Sequence, residues 1–153
     1  MKEISRRFAV AFFALAAGAA LAFAFAPRAV AADHPGYLHA LNDLRTARAH
    51  LQNPDSGVLH EQEKNAVEEI DKAIGEIKAA AIDDGKNIND HGGVDVHLKW
   101  VGHLNKAAEL LKKAHDDVAK EEDNAAAQGL QARALDHIAK ASRFVQQAIA
   151  LEQ

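Results

Sequence analysis

Nine histidines are the residues of this 153-residue chain best able to do chemistry. Neutral imidazole binds zinc, copper and nickel, and a nearby carboxylate can complete the ligand shell of the ion. His39 and Asp43 lie four residues apart, so they share one face of a predicted helix. On the predicted helices, no other histidine precedes an acid at that spacing. The histidines can be ordinary helix-end and surface residues, and the alternative is a divalent-metal site with His39 and Asp43 among its ligands.

The expected height of each histidine in a four-helix bundle sorts the candidate ligands into two end clusters. One end is expected to hold His34, His39, Asp43, His91 and His97, and the other His50, His60 and His115. His97 and His115 are about 27 Å apart along a helix, so they cannot share one ion. His103 and His137 are expected at intermediate heights on the surface.

Catalytic motifs are missing from the sequence, which favours a protein that is not an enzyme. There is no H-x-x-x-H or Glu-x-x-His pair, as zinc proteases or di-iron bundles need. Neither Ser56 nor Ser142 lies in a G-x-S-x-G or S-x-x-K motif. The chain has no cysteine, so thiolate chemistry and covalent haem attachment are excluded. Its single methionine is Met1, which belongs to the predicted signal peptide. Histidine is therefore the only residue type left as an axial ligand of a haem.

The first 32 residues have the layout of a secretory signal peptide. A basic start with Lys2, Arg6 and Arg7 precedes an apolar run over residues 8–26. Ala29 and Ala31 form an A-x-A site, which predicts cleavage after Ala31 or after the next alanine. The mature domain is then residues 33–153, in the periplasm or secreted. The alternative is an uncleaved anchor, because the apolar run is long enough to span a bilayer.

Removal of this segment leaves an acidic domain. It takes four of the 18 basic residues and one of the 22 acidic residues, which leaves 14 against 21 and a net charge of −7. Nucleic acids and anionic membranes are poor partners for such a surface. A protein partner, a second copy of the chain or a cation stays open.

Apolar residues at helical spacing predict an all-α fold with four amphipathic helices. The helices are expected from Asp33 to the turn at 53–57, over 58–82, from Asp95 to Asp123, and over 125–151. The expected apolar face of the third helix contains His97, Val101, Leu104, Ala108, Leu111, His115 and Val118. Short first and third connections favour an antiparallel up-down-up-down bundle. Residues 82–95 form the long central connection, and they do not match a calcium-binding loop.

Two glycines suggest a further hypothesis. Gly75 and Gly102 lie at similar distances on either side of the central connection, so antiparallel neighbours would place them at one height. Close helix packing explains this arrangement. Room for a small molecule or haem beside Trp100 is the functional alternative.

Three polar segments resemble segments of small exported helical proteins found in bacterial genomes. These are HPGYLHAL at 34–41 with the following Asp43-Leu44-Arg45, IDDGKNINDH at 82–91, and EEDN at 121–124. The resemblance covers most of the mature chain. It implies an exported helical protein, and it brings no catalytic residues or activity to carry over.

Three functions follow in order of preference. The first is a non-enzymatic interaction or structural protein of the periplasm or cell envelope. The second is a histidine-rich binder of Zn²⁺, Cu²⁺ or Ni²⁺. The third is a small-molecule or haem-binding bundle.

Overall fold

The computed structural model describes residues 35–53, 60–80, 87, 89–121 and 128–152. Four α-helices lie within these residues, without any strand, which confirms the all-α class. They are α1 (Pro35–Leu51), α2 (Glu61–Ala80), α3 (Trp100–Lys120) and α4 (Gln128–Leu151). The predicted signal peptide lies outside the described residues. None of the four helices combines the length and the hydropathy that crossing a membrane requires.

Helix α3 begins five residues later than expected. Asp95 was expected to cap it, and its carboxylate does accept a hydrogen bond from the backbone N–H of His97 at 2.9 Å. The backbone N–H of Leu98 also bonds to the carbonyl of Asp95, at 3.3 Å. These bonds close a separate turn, and the helix starts at Trp100.

Helices α1 and α3 run antiparallel to each other. At the start of α1, the Gly36 N–H donates to Glu121 Oε1 at 2.8 Å, just beyond the end of α3. At the other end of α1, His50 lies 2.9 Å from His103, in the first turn of α3. We call the end with His50 and His103 the upper end, and the end with Gly36 and Glu121 the lower end.

The remaining contacts fix the direction of the other two helices. Arg133 of α4 bonds to Glu76 of α2 at 2.9 Å, and His137 bonds to Glu69 at 2.6 Å, so α2 and α4 are antiparallel. Gln131 reaches back to the Val118 carbonyl at 2.8 Å across the α3–α4 turn. Around the bundle the order is therefore α1, α3, α4, α2.

This arrangement corrects the predicted up-down-up-down order. In that order α1 and α3 would be parallel, whereas here the chain runs up, down, down and up. Because α2 ends at the lower end and α3 starts at the upper end, residues 81–99 connect opposite ends of the bundle. The sequence shows that this connection is long and polar. These features do not distinguish a loop at one end of the bundle from a connection between its two ends.

The core is aliphatic, as the composition predicts. Buried alanines such as Ala73 and Ala107 let neighbouring helices approach closely, and Tyr37 is the one fully buried aromatic residue among those described. Each buried leucine or isoleucine contributes about 2 kcal/mol through the apolar surface it removes from water. The largest of them are Leu41, Leu44, Leu51, Ile70, Ile74, Ile77, Leu104, Leu111 and Ile138.

Candidate functional site: a buried histidine pair beside a groove

Two histidines meet inside the upper end of the bundle. His50, in the last turn of α1, and His103, in the first turn of α3, are each only 2% exposed. Their Nδ1 atoms face each other at 2.9 Å, and the two rings are tilted by 48°. The antiparallel packing of α1 on α3 creates this contact, which we call the histidine pair.

Asn53 extends the contact into a chain of three polar side chains. It follows the end of α1, and its Nδ2 lies 2.8 Å from Nε2 of His103. With the amide nitrogen as donor, Nε2 of His103 accepts, so the proton of His103 is on Nδ1 and is donated to Nδ1 of His50. Each buried nitrogen that faces a neighbour therefore has a partner.

The surroundings favour the neutral form of His50. Burial lowers its pKa below the usual 6.5, and the adjacent His103 lowers it further. Lys106 and His91 act in the same direction, while Asp95 opposes them. Burial beside a second imidazole therefore favours the uncharged form of His50, with its Nδ1 as a hydrogen-bond acceptor.

A groove of about 390 Å³ lies beside the pair, and Asn53 belongs to both. Its walls come from the end of α1 and from the segment before α3. The lining residues are Arg48, Ala49, Gln52, Asn53, Asn89, His91, Val94 and Val96. It thus combines amide donors and acceptors with aliphatic surface, which is the composition of many binding sites.

Two contacts hold the far wall of the groove against α1. The Gly92 N–H donates to Thr46 Oγ1 at 2.9 Å. Arg48 donates to Asp71 of α2 at 2.8 Å and to Asn89 Oδ1 at 3.0 Å. The groove is therefore built by the end of α1 and the connecting segment, and Asp71 of α2 holds Arg48 in place.

The candidate ligands His91 and His97, which were expected beside His39, and His60, which was expected beside His50, stand apart from the pair. His91 is exposed in the groove wall, where Nδ1 bonds to the carbonyl of Gly92 at 2.7 Å. His97 and His60 are exposed. His97 lies before α3, and His60 lies immediately before α2. His34 lies outside the described residues.

The lower end brings together a different set. His39, Asn42 and Asp43 of α1 line an open cleft with Asp117 of α3. Burial raises the pKa of Asp43, and Asp117 acts the same way, against the positive charge of Lys113. His115 is also toward this end, 46% exposed, with Nδ1 3.8 Å from a carboxylate oxygen of Asp116.

The predicted end clusters are therefore wrong, because α3 runs opposite to the expected direction. His115 was grouped with His50, and His97 with His39, yet each belongs at the other end. Within the described parts of the chain, no three histidine or carboxylate side chains converge as they would around a tetrahedral ion.

The common height expected for Gly75 and Gly102 is also not found. Gly75 lies toward the lower end of α2, and no atom lies within 4 Å of the position that a Cβ would occupy there. Gly102 is near the upper end of α3, where a Cβ would meet Leu98 at 3.2 Å. The two residues are thus at different heights.

His103 is the site residue that the sequence reasoning missed. The buried face of α3 holds His103, Ala107, Leu110 and Ala114 beside the predicted Leu104, Leu111 and Val118. The expected face was rotated away from His103 because His97, Val101 and His115 were counted in it. The alternation of His103 with Ala107, Leu111 and Ala114 was the signal that could have located it.

Comparisons with family models, curated proteins and solved structures found no match to this chain. The site itself is therefore the basis for a proposed function.

Proposed function

We propose that this chain is a non-enzymatic helical-bundle protein, exported to the periplasm or cell envelope, which binds a protein partner through the groove. The observation that carries the proposal is the groove itself. It has amide side chains that can hydrogen-bond a peptide backbone, and an apolar rim at Val96, whose side chain is 64% exposed. The predicted signal peptide supports export.

The chemistry of the site favours binding over turnover. The facing nitrogens of the histidine pair bond to each other, so neither is aimed at a nucleophile. The guanidinium of Arg48 is engaged with Asp71 and Asn89, which makes it a fixed wall of the groove. A rigid concave wall with amides and valines lowers the entropy cost of binding an extended segment.

The test is cross-linking in cells that export the full chain. A photoactivatable residue replaces Val96 on the rim, and a matched control replaces Leu151, which is equally apolar and 70% exposed outside the groove. A discrete adduct is expected from position 96. It should disappear when Ala49→Trp fills the groove, and position 151 should give none. A product of twice the chain mass would identify a second copy as the partner.

Equal adducts from both positions, or an adduct that survives Ala49→Trp, would contradict the proposal. Circular dichroism of the Ala49→Trp variant checks that the bundle is still folded.

A further inference from the structure

The histidine pair has the donor geometry of a site for an ion with two ligands. When both rings carry their proton on Nε2, both Nδ1 lone pairs point to one place between α1 and α3. Two neutral lone pairs at 2.9 Å repel each other, unless a proton or a cation lies between them. A cation that replaces the shared proton would bind both nitrogens at once.

The number of donors selects the kind of ion. Zinc in proteins takes four ligands, and within the described residues no third histidine or carboxylate joins the pair. A monovalent d¹⁰ ion, Cu(I) or Ag(I), is satisfied by two nitrogens in a line. Burying a single charge also costs less than burying two. We infer that His50 and His103 bind one such ion in linear coordination between their Nδ1 atoms.

The required movement is small. Two metal–nitrogen bonds of about 2 Å each place the nitrogens about 4 Å apart. The present separation is 2.9 Å, so the rings must part by roughly 1 Å. Rotation of two side chains at the helix ends can provide this without a change of the fold.

The protons balance without any release. On binding, the Nδ1 proton of His103 moves to Nε2, and both Nδ1 lone pairs become ligands. The Asn53 amide must then turn so that its oxygen accepts the Nε2–H. A hydrogen bond on the outer nitrogen of a ligating histidine is the usual support of such sites. Because Asn53 also lines the groove, the ion has a route from solvent.

The charges around the pair are mixed. Asp95 favours a cation there, whereas Lys106 disfavours it. A carboxylate in the place of the Asn53 amide would add the missing negative charge next to the pair. The variant Asn53→Asp should therefore tighten binding, by about tenfold or more on the scale of outer-shell effects at metal sites.

The experiment titrates the full chain with Ag⁺ in chloride-free buffer, because Ag⁺ needs no reductant. Trp100 is the single tryptophan, and its ring centre is 6.4 Å from that of His103, so its fluorescence reports the site. One Ag⁺ per chain is expected, with quenching and a higher Tm. His50→Gln and His103→Gln should lose all three effects, and His115→Gln, an exposed histidine on the same helix, should keep them.

Three results would overturn the inference. One is unchanged Ag⁺ binding in His50→Gln, and another is no tightening in Asn53→Asp. The third is tighter binding of Zn²⁺ than of Ag⁺ at the same stoichiometry, since that would require a tetrahedral site. Should His103→Gln fail to fold, His50→Gln and Asn53→Asp still decide the question. The partner-binding proposal is untouched by any of these outcomes.

Discussion

The helix pairs α1–α3 and α2–α4 are held together by different kinds of polar contact. At the upper end, α1 meets α3 through the histidine pair, whose residues are each 2% exposed. Helices α2 and α4 are instead joined through two carboxylates that are only partly buried. There Arg133 pairs with Glu76, and His137 pairs with Glu69.

The difference follows from the solvent at each place. A buried charge loses its hydration, so a polar contact in the interior is best made by neutral groups whose hydrogen bonds are complete. Near the surface, water and salt weaken ion pairs to between 0 and about 1 kcal/mol. The α1–α3 contact should therefore be sensitive to the loss of one partner, and the α2–α4 contact to pH.

The largest effect is expected from breaking the histidine pair. The variant His103→Leu removes the group that Nδ1 of His50 faces inside the bundle, at a cost of about 3 kcal/mol of unfolding free energy. Replacing both histidines by leucine removes both facing groups and should recover a large part of that loss. Urea unfolding of the two variants measures the difference.

The matching variant on the other contact is His137→Leu. Its Glu69 partner keeps an ion pair with Lys72 at 2.8 Å, so the carboxylate is still paired in the variant and the expected loss is below about 1 kcal/mol. A loss as large as that of His103→Leu would contradict the contrast between the two contacts.

The sequence predicts the helices better than their directions. Apolar spacing located all four, because the faces of α2 and α4 are almost entirely aliphatic. Helix α3 is different, because histidine, valine and alanine occur all round it, and several faces compete. Its direction depends on where residues 81–99 lead the chain, and neither apolar spacing nor capping residues reveal that.

Described residues of the polar segments at 34–41, 82–91 and 121–124 make contacts between distant parts of the chain. Gly36 and Tyr37 of the first segment bond to Glu121 of the last, at 2.8 and 2.9 Å. Asn89 of the second segment accepts a hydrogen bond from Arg48 of α1 at 3.0 Å. Sequence shows such segments as separate helix starts and loops, whereas their contacts exist only after the helices have packed.

Gly36 tests how closely α1 and α3 pack at the lower end of the bundle. A Cβ on Gly36 would lie 2.5 Å from Cγ of Glu121 and 3.0 Å from the Asp117 carbonyl oxygen. Because the carbonyl belongs to the backbone, Gly36→Ala should cost about 2 kcal/mol.

The matched control is Gly75→Ala on α2, where a Cβ meets open space. Alanine is the better helix former, so this variant should raise the unfolding free energy by up to about 1 kcal/mol. Thermal unfolding of both variants shows whether each substitution lowers or raises the stability. A neutral or stabilising Gly36→Ala would mean that α1 and α3 separate easily at this end.

The smallest effect concerns pH and the α2–α4 contact. Burial alone would raise the pKa of Glu69, but hydrogen bonds from Lys72 and His137 outweigh it and lower the pKa below 4.5. The folded state then holds this proton less tightly than the unfolded chain does. The contribution to stability is thus present above the unfolded value of 4.5, and it is lost as the pH falls through the lower folded value.

Glu69→Gln should therefore cost less than about 1 kcal/mol at neutral pH, and this difference from the unmodified chain should vanish in acid. Urea unfolding at a series of pH values measures it. Glu68→Gln is the control, because Glu68 is 66% exposed and pairs with Lys72 of its own helix. A difference that persists in acid would show that Glu69 acts through packing, and the α2–α4 contact would then resemble the buried one.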